Sequence, residues 1–304
     1  MPLTGVRVLD LSRLLPGGHC TRLLADAGAS VLKVEPLAGD PLRGMPGGEV
    51  LFERLHHGKE CIRLDWTTQP GRARLQREIR AADVLVEGFR PGVMERAGFG
   101  YALLAERQPG LVYCAITGYG SSGRLARRAG HDLNYLARSG ALALMPRSAD
   151  GTPLIPGMQL ADQAGGERAA FLIAAALVAR AQSGRGARLE ISLTEVMRGW
   201  TDLQRAAGRV GVAPLRLTGA APCYHVYRAA DGFLSVAALE APFWHAFCQA
   251  LGREDLAGRQ FDESAVAEVE AVLATRARAA WMAIFDGQDV CVEPCFELDE
   301  PETS

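Results

Sequence analysis

Short apolar, β-branched runs alternate with longer stretches of helical spacing through the first two thirds of the chain. Residues 6–11 read as a strand and Pro16-Gly17-Gly18 as a break. Residues 19–27 then read as a helix with Leu23, Leu24 and Ala27 on one face and Gly28 at its end. Residues 31–35 read as a second strand, so the chain opens β-α-β, which implies a parallel pair with a right-handed crossover. Residues 61–64, 84–87 and 111–116 read as further strands and residues 72–81 as a helix. The loop 117–130 is rich in Gly, Ser and Arg, and a helix starts near His131. Residues 162–181 form a long apolar helix, 187–193 a last strand, and 195–209 a helix leading out. This alternation predicts an α/β domain with a Rossmann-like parallel sheet and helices on both faces.

Beyond residue 215 the pattern changes. Residues 224–228, the turn Ala230-Asp231-Gly232 and residues 233–239 read as a β-hairpin, followed by helices over 242–251 and 266–285. The expected division is a large α/β domain, 1–215, and a smaller α+β domain, 216–304.

Composition narrows the function. Of 304 residues, 48% are hydrophobic and 22% charged, enough apolar material for a substantial core, and the formal net charge is -2. That balance argues against a nucleic-acid or membrane-surface binder, each of which needs a basic face. A local basic rim at Arg124, Arg127 and Arg128 suits a phosphate-bearing small molecule. The seven cysteines are scattered; only Cys291 and Cys295 lie close, with no second pair to complete a zinc site, so no metal is expected. Buried reduced thiols, a start without a signal-peptide pattern and no apolar run of membrane-spanning length together predict a cytoplasmic protein.

A β-α-β opening invites a dinucleotide. Yet the loop after the first strand, Leu11-Ser12-Arg13-Leu14-Leu15-Pro16-Gly17-Gly18-His19, lacks the G-x-G-x-x-G spacing that lets a pyrophosphate approach a helix N-terminus. Glu35 is accordingly expected to be a strand-end carboxylate facing solvent. His19, His56 and His57 lack acidic neighbours at ligand spacing and are expected on the surface or in a cofactor loop.

Several segments, in order, carry a family resemblance: Leu14-Leu15-Pro16-Gly17, residues 23–29 (LLADAGA), residues 31–36 (VLKVEP), residues 83–92 (DVLVEGFRPG) and Thr117-Gly118-Tyr119-Gly120. They resemble the family III CoA-transferases (CaiB/BaiF), over nearly the whole chain, and most closely the α-methylacyl-CoA racemase branch. The resemblance implies an acyl-CoA substrate, with coenzyme A present only as part of the substrate thioester and no permanently bound cofactor. It places Arg90 at a position that meets coenzyme A, where a guanidinium just past a strand end can pair with a phosphate. Gly88, Pro91, Lys59 and Arg43 join it as candidate coenzyme contacts, Arg43 because Pro36 stands where racemases commonly carry an adenine-contacting arginine.

Three further segments point to the racemase branch. In residues 129–135 (AGHDLNY), His131 falls on a catalytic base. In residues 160–166 (LADQAGG), Asp162 falls on the carboxylate that racemases use as the other base and transferases as a nucleophile. In residues 236–244 (VAALEAPFW), Glu240 falls on the glutamate that orients the histidine. These residue types suit inversion at an acidic α-carbon: one group removes the proton, another returns it from the opposite face, and an enolate lies between. Backbone N–H groups at the start of the helix near His131 are the expected enolate donors. The expected function is epimerisation of a 2-methyl-branched acyl-CoA. The alternatives are acyl-CoA transfer through Asp162 and an inactive CoA-binding relative. The resemblance also implies a homodimer and a C-terminal return segment that this sequence lacks; how tightly two such chains interlock is left open.

Overall fold

The computed structural model describes residues 1–210 and 217–300. The chain forms two compact units, Met1–Leu203 and Gln204–Ser304. The boundary expected at residue 215 lies outside the described residues.

In the first unit, β1 (Arg7–Asp10), β2 (Ser30–Glu35), β3 (Glu60–Arg63), β4 (Val84–Glu87), β5 (Val112–Thr117) and β6 (Arg188–Ser192) make one parallel sheet in the order β3-β2-β1-β4-β5-β6. The central strands are apolar on both faces, as a parallel sheet covered by helices on both sides requires: Val84, Leu85 and Val86 are completely buried. Helices α1 (Leu14–Asp26), α2 (Gly48–Leu55), α3 (Gln69–Ala81), α4 (Val93–Arg96), α5 (Tyr101–Arg107), α6 (Asp132–Ser139), α7 (Leu160–Ser183) and α8 (Leu193–Trp200) connect and flank the strands. The α/β class and parallel sheet are as expected. Among the described residues no helix is long and apolar enough to cross a membrane.

Helix α1 starts earlier than its proline predicted. Pro16 sits in its first turn, where a missing N–H costs nothing because that turn has no intrahelical acceptor to lose. Helix α7 packs against α1 through small residues. A Cβ on Gly166 would lie 2.7 Å from the Pro16 carbonyl oxygen and 3.2 Å from the Cys20 nitrogen, so only glycine fits there. The expected helix over 195–209 is instead two, α8 and α9 (Asp202–Arg209), broken at Thr201. Gly199 and the β-branched Thr201 are both poor at propagating a helix.

In the second unit, β7 (Tyr224–Ala229), β8 (Gly232–Ala237) and β9 (Val292–Pro294) form an antiparallel sheet in that order. Helices α10 (Ala241–Ala250), α11 (Val266–Leu273) and α12 (Arg278–Phe285) cover it. The two indoles of its core are each satisfied: Trp244 Nε1 donates to the Leu256 carbonyl at 3.1 Å and Trp281 Nε1 to that of Leu273 at 2.8 Å. The single helix expected over 266–285 is interrupted because the hairpin turn intercepts it. Asp231 Oδ1 accepts the Arg278 amide at 2.7 Å, and Ala230 N donates to the Arg276 carbonyl at 2.9 Å. An aspartate of the turn thus caps α12 in place of continuing helix.

Candidate active site

The strand order reverses between β1 and β4, so the loops leaving their carboxyl ends diverge and open a crevice, the usual ligand position in such sheets. Arg13, Pro36, Leu64, Trp66 and Phe89 line a small cleft there. Trp66 and Phe89 have ring centroids 5.3 Å apart, and the Arg13 guanidinium lies 5.0 Å from the Phe89 ring. Gly88 adjoins the same turn: its Cβ direction meets Ser12 Cβ at 3.8 Å and Arg13 N at 3.9 Å.

The turn after β4 carries the expected coenzyme contacts. Gly88 and Arg90 are exposed and Pro91 is half-buried. Gly92 adopts φ +87° and opens α4, and the guanidiniums of Arg96 and Arg127 crowd its Cβ position at 2.7 and 4.0 Å. Arg90, Arg96 and Arg127 have no carboxylate partner among the described residues. Three unpaired guanidinium-bearing residues around one turn is the arrangement a phosphate group needs. The turn is anchored by Glu87, which accepts the Phe89 amide at 2.7 Å and lies 3.4 Å from the Tyr113 hydroxyl. Burial pushes the Glu87 carboxyl up to about 7, and the two hydrogen bonds oppose that rise only in part.

Lys59 and Arg43 are placed differently. The Lys59 side chain is fully buried, its ammonium 2.9 Å from the Gly18 carbonyl, 2.7 Å from Thr21 Oγ1 and 3.0 Å from His56 Nδ1. Burial lowers its pKa to about 8, helped by the Lys33 charge and only partly opposed by Asp10. Arg43 makes a bidentate pair with Glu35 at 2.8 and 3.0 Å, binds Glu49, and lies 3.5 Å from the Phe52 ring. Both cations are thus engaged inside the fold. Glu35, expected to face solvent, is buried because Arg43 and the Asp40 amide satisfy it. His56, expected on the surface, is buried against Phe52, and burial followed by the Lys59 charge keeps it neutral, with a pKa of about 3.

His131 and Asp162 stand at the starts of two helices that Asp132 joins. His131 is the exposed N-cap of α6, its amide donating to Asn134 Oδ1 at 3.0 Å. Asp132, the next residue, does not cap its own helix. Its Oδ1 crosses to the first turn of α7 and accepts the Ala161 amide at 2.7 Å and the Asp162 amide at 3.0 Å. This cross-cap brings the His131 segment against the Asp162 helix. The Asp162 carboxyl receives no hydrogen bond among the described residues; burial first, and then the Asp132 charge, raise its pKa to about 7. The amides of Asp132 and Leu133, the first of α6, find no acceptor among the described residues, so two donors remain free at that helix start. Glu240, in the second unit, is the exposed N-cap of α10 and lies near Cys291, whose thiol it helps push up after burial.

Sequence reasoning missed a cluster of buried charges. Asp10 and Lys33 are completely buried, Asp40 nearly so, and with Lys59 they form pairs of 3.3–3.8 Å. The signal was present as a lysine inside the apolar run Val31-Leu32-Lys33-Val34 and an aspartate ending the strand before it. Among the described residues no three His, Cys, Asp or Glu side chains gather as a metal ion would require.

Known proteins with this chain's features share the family. The family model described as CoA-transferase family III matches residues 3–303. The α-methylacyl-CoA racemase of Homo sapiens is 36% identical over 312 aligned positions, covering 99% of this chain and 79% of the relative. A succinate–glutarate CoA-transferase of Agrobacterium fabrum is 35% identical over 267 positions, covering 83% of this chain and 66% of the relative. The crystal structure of a CaiB/BaiF family protein from Brucella suis superposes with a TM-score of 0.85 at 27% identity, covering 99% of this chain and 85% of that one. Matched by that family model over nearly its whole length and 35–36% identical to a racemase and a transferase, the chain belongs to the family III CoA-transferases, an enzyme family that includes both racemases and transferases.

Proposed function

We propose that the protein epimerises the α-carbon of a 2-methyl-branched acyl-CoA by proton transfer through an enolate. The observation that carries this is the state of Asp162: partly buried, without a hydrogen-bond donor to its carboxylate, its pKa raised to about 7, and tied through Asp132 to the segment bearing His131. A carboxyl with that pKa is near half-protonated at neutral pH. It can therefore give or take a proton with almost equal ease, as a reversible inversion demands.

In this reading one of the pair, neutral His131 or ionised Asp162, takes the α-proton as the C–H bond breaks. The electron pair moves onto the thioester oxygen, which the free amides at the start of α6 stabilise. The other group, protonated, returns a proton to the opposite face. Arg90, with Arg96 and Arg127 beside it, would hold the phosphates of the coenzyme, and the Trp66–Phe89 cleft offers an apolar slot beside them. The role that the resemblance gives Glu240, orienting the imidazole, is open to a Glu240→Gln substitution, which should slow exchange without weakening coenzyme A binding.

A second reading has Asp162 attack the thioester carbonyl, expelling the coenzyme A thiolate and forming a mixed anhydride. Transferase relatives of comparable identity favour it. A nucleophile must be ionised, however, and a raised pKa works against that. The two separate by experiment. His131→Ala should slow epimerisation by ~10²–10⁴-fold, the usual contribution of a positioned base. Incorporation of a labelled free carboxylic acid into acyl-CoA, undiminished in that variant, would establish the transferase in its place.

A further inference from the structure

The chemistry proposed above uses none of the four charges sealed beneath the β1–α1 turn. Their hydrogen bonds nevertheless converge on that turn. Asp10 accepts the Ser12 amide at 2.9 Å, the Ser12 hydroxyl at 2.6 Å and the Thr21 hydroxyl at 2.5 Å. The Lys33 ammonium donates to the Ser12 carbonyl and lies 3.6 Å from Asp10 and 3.3 Å from Asp40 Oδ2. Asp40 Oδ1 then accepts the Leu14 amide at 3.3 Å and the Leu42 amide at 3.0 Å. The backbone of Ser12 and Leu14 is therefore held by side chains from β1, β2 and the loop after β2.

The turn held this way is an unusual one. Leu14 has φ +59°, one of only two non-glycine residues with positive φ among the described residues. A leucine in that region is sterically disfavoured and persists only where its surroundings over-determine it, and such positions concentrate at functional sites. The turn also touches both halves of the candidate site. Arg13 lies over Phe89 in the crevice, and the Pro16 carbonyl abuts α7 at Gly166, one helical turn beyond Asp162.

Resting on the reading of the protein as an acyl-CoA enzyme, we propose that Asp40, neutralised by Lys33, is a positioning residue that locks the left-handed Leu14 turn as the floor between the coenzyme crevice and the Asp162 helix, and thereby sets the affinity for coenzyme A. Removing Asp40 frees Leu14 to relax toward negative φ, and the floor shifts under the coenzyme. A glycine at position 14 takes the left-handed conformation without penalty and no longer needs the lock.

The test is calorimetric titration of coenzyme A into the wild type, Asp40→Ala and the double variant Asp40→Ala/Leu14→Gly, with thermal unfolding of each. Asp40→Ala should weaken coenzyme A binding at least tenfold while unfolding stays cooperative, and the added Leu14→Gly should bring binding back to within about threefold of wild type. With a 2-methylacyl-CoA substrate the same loss should show in KM, with kcat within about threefold. A purely structural role would lower the unfolding temperature in both variants and would not produce the rescue. If Asp40→Ala does not fold, Leu14→Pro breaks the turn with the charge cluster intact, because proline fixes φ near −65° and has no amide for Asp40; it should cost the same tenfold. Unchanged binding in Asp40→Ala or in Leu14→Pro, or a double variant no better than Asp40→Ala, overturns the proposal. A wild type that binds no coenzyme A would instead sink the functional reading, and the affinity claim with it.

Discussion

Asp132 of α6 accepts two amides from the first turn of α7, one of them the amide of Asp162 itself. One carboxylate therefore does two things. It fixes where Asp162 sits, and as a like charge it raises the pKa of Asp162 beyond what burial alone produces. Asp132→Asn separates these effects, because an amide oxygen can still accept both N–H groups but carries no charge. The limb of the pH–rate profile that reports Asp162, expected near pH 7, should move to lower pH by about one unit or less, with the fold unchanged. A profile that does not move would remove Asp132 as a tuning charge.

Asp162→Asn should stop epimerisation of either enantiomer, lowering its rate by ~10²–10⁴-fold or more, because the amide can neither take nor return a proton, whereas deuterium exchange should be lost only from the enantiomer whose α-hydrogen faces Asp162. His131→Ala should likewise stop epimerisation, and should lose exchange from the opposite enantiomer. Chiral analysis of the recovered thioester, alongside deuterium content, checks both. Loss of exchange from the same enantiomer in both variants would show that a different group serves the other face.

Glu87 makes stability fall as pH rises. Its carboxyl titrates near 7 in the folded protein against 4.5 when free. Between those values the native state binds more protons than the unfolded chain, so unfolding becomes easier with rising pH. The loss, fully present above about pH 7, is on the order of 3 kcal/mol. Glu87→Gln keeps an acceptor for the Phe89 amide and removes the titration. Denaturant midpoints at pH 5 and pH 8 should converge in that variant, while Asp162, raised in the same direction, leaves a residual slope.

Gly166→Ala forces a methyl against the Pro16 carbonyl and the Cys20 nitrogen, both backbone atoms that cannot rotate away. Overpacking of this kind costs ~1–3 kcal/mol, which for a unit of this size lowers the melting temperature by about 2–10 °C. Because Asp162 lies one turn earlier on the same helix, exchange activity should fall as well. Calorimetry and the exchange assay, run on the same sample, check the two halves.

Much of this was legible in the residues. The parallel sheet announced itself through runs such as Val84-Leu85-Val86, which had to be buried on both faces, and His131 and Asp162 through motifs whose order matched a family. What escaped had physical reasons. Pro16 reads as a breaker only if the helix starts after it; the Asp40 carboxylate, twenty-six residues away, accepts the amide that starts the helix earlier. Residues 266–285 read as one helix because the aspartate that ends the pattern, Asp231, comes from a hairpin far earlier in the chain. For Lys59 and Arg43, nothing local reveals that Thr21, His56, Glu35 and Glu49 engage them inside the fold. Local periodicity carries the elements, whereas long-range polar partners decide which charges remain free for a ligand.

In the proposed reaction His131 and Asp162 move an α-proton on opposite faces of the substrate. The most direct measurement is incubation of an enantiopure 2-methylacyl-CoA with the protein in D₂O, followed by mass and chiral analysis. Expected from that reaction is incorporation of one deuterium at the α-carbon together with progressive loss of optical purity; the loss of optical purity should fall by orders of magnitude in both His131→Ala and Asp162→Asn, and deuterium incorporation into a given enantiomer in one of the two. A thioester recovered undeuterated and optically pure, from a protein that binds coenzyme A, would contradict it.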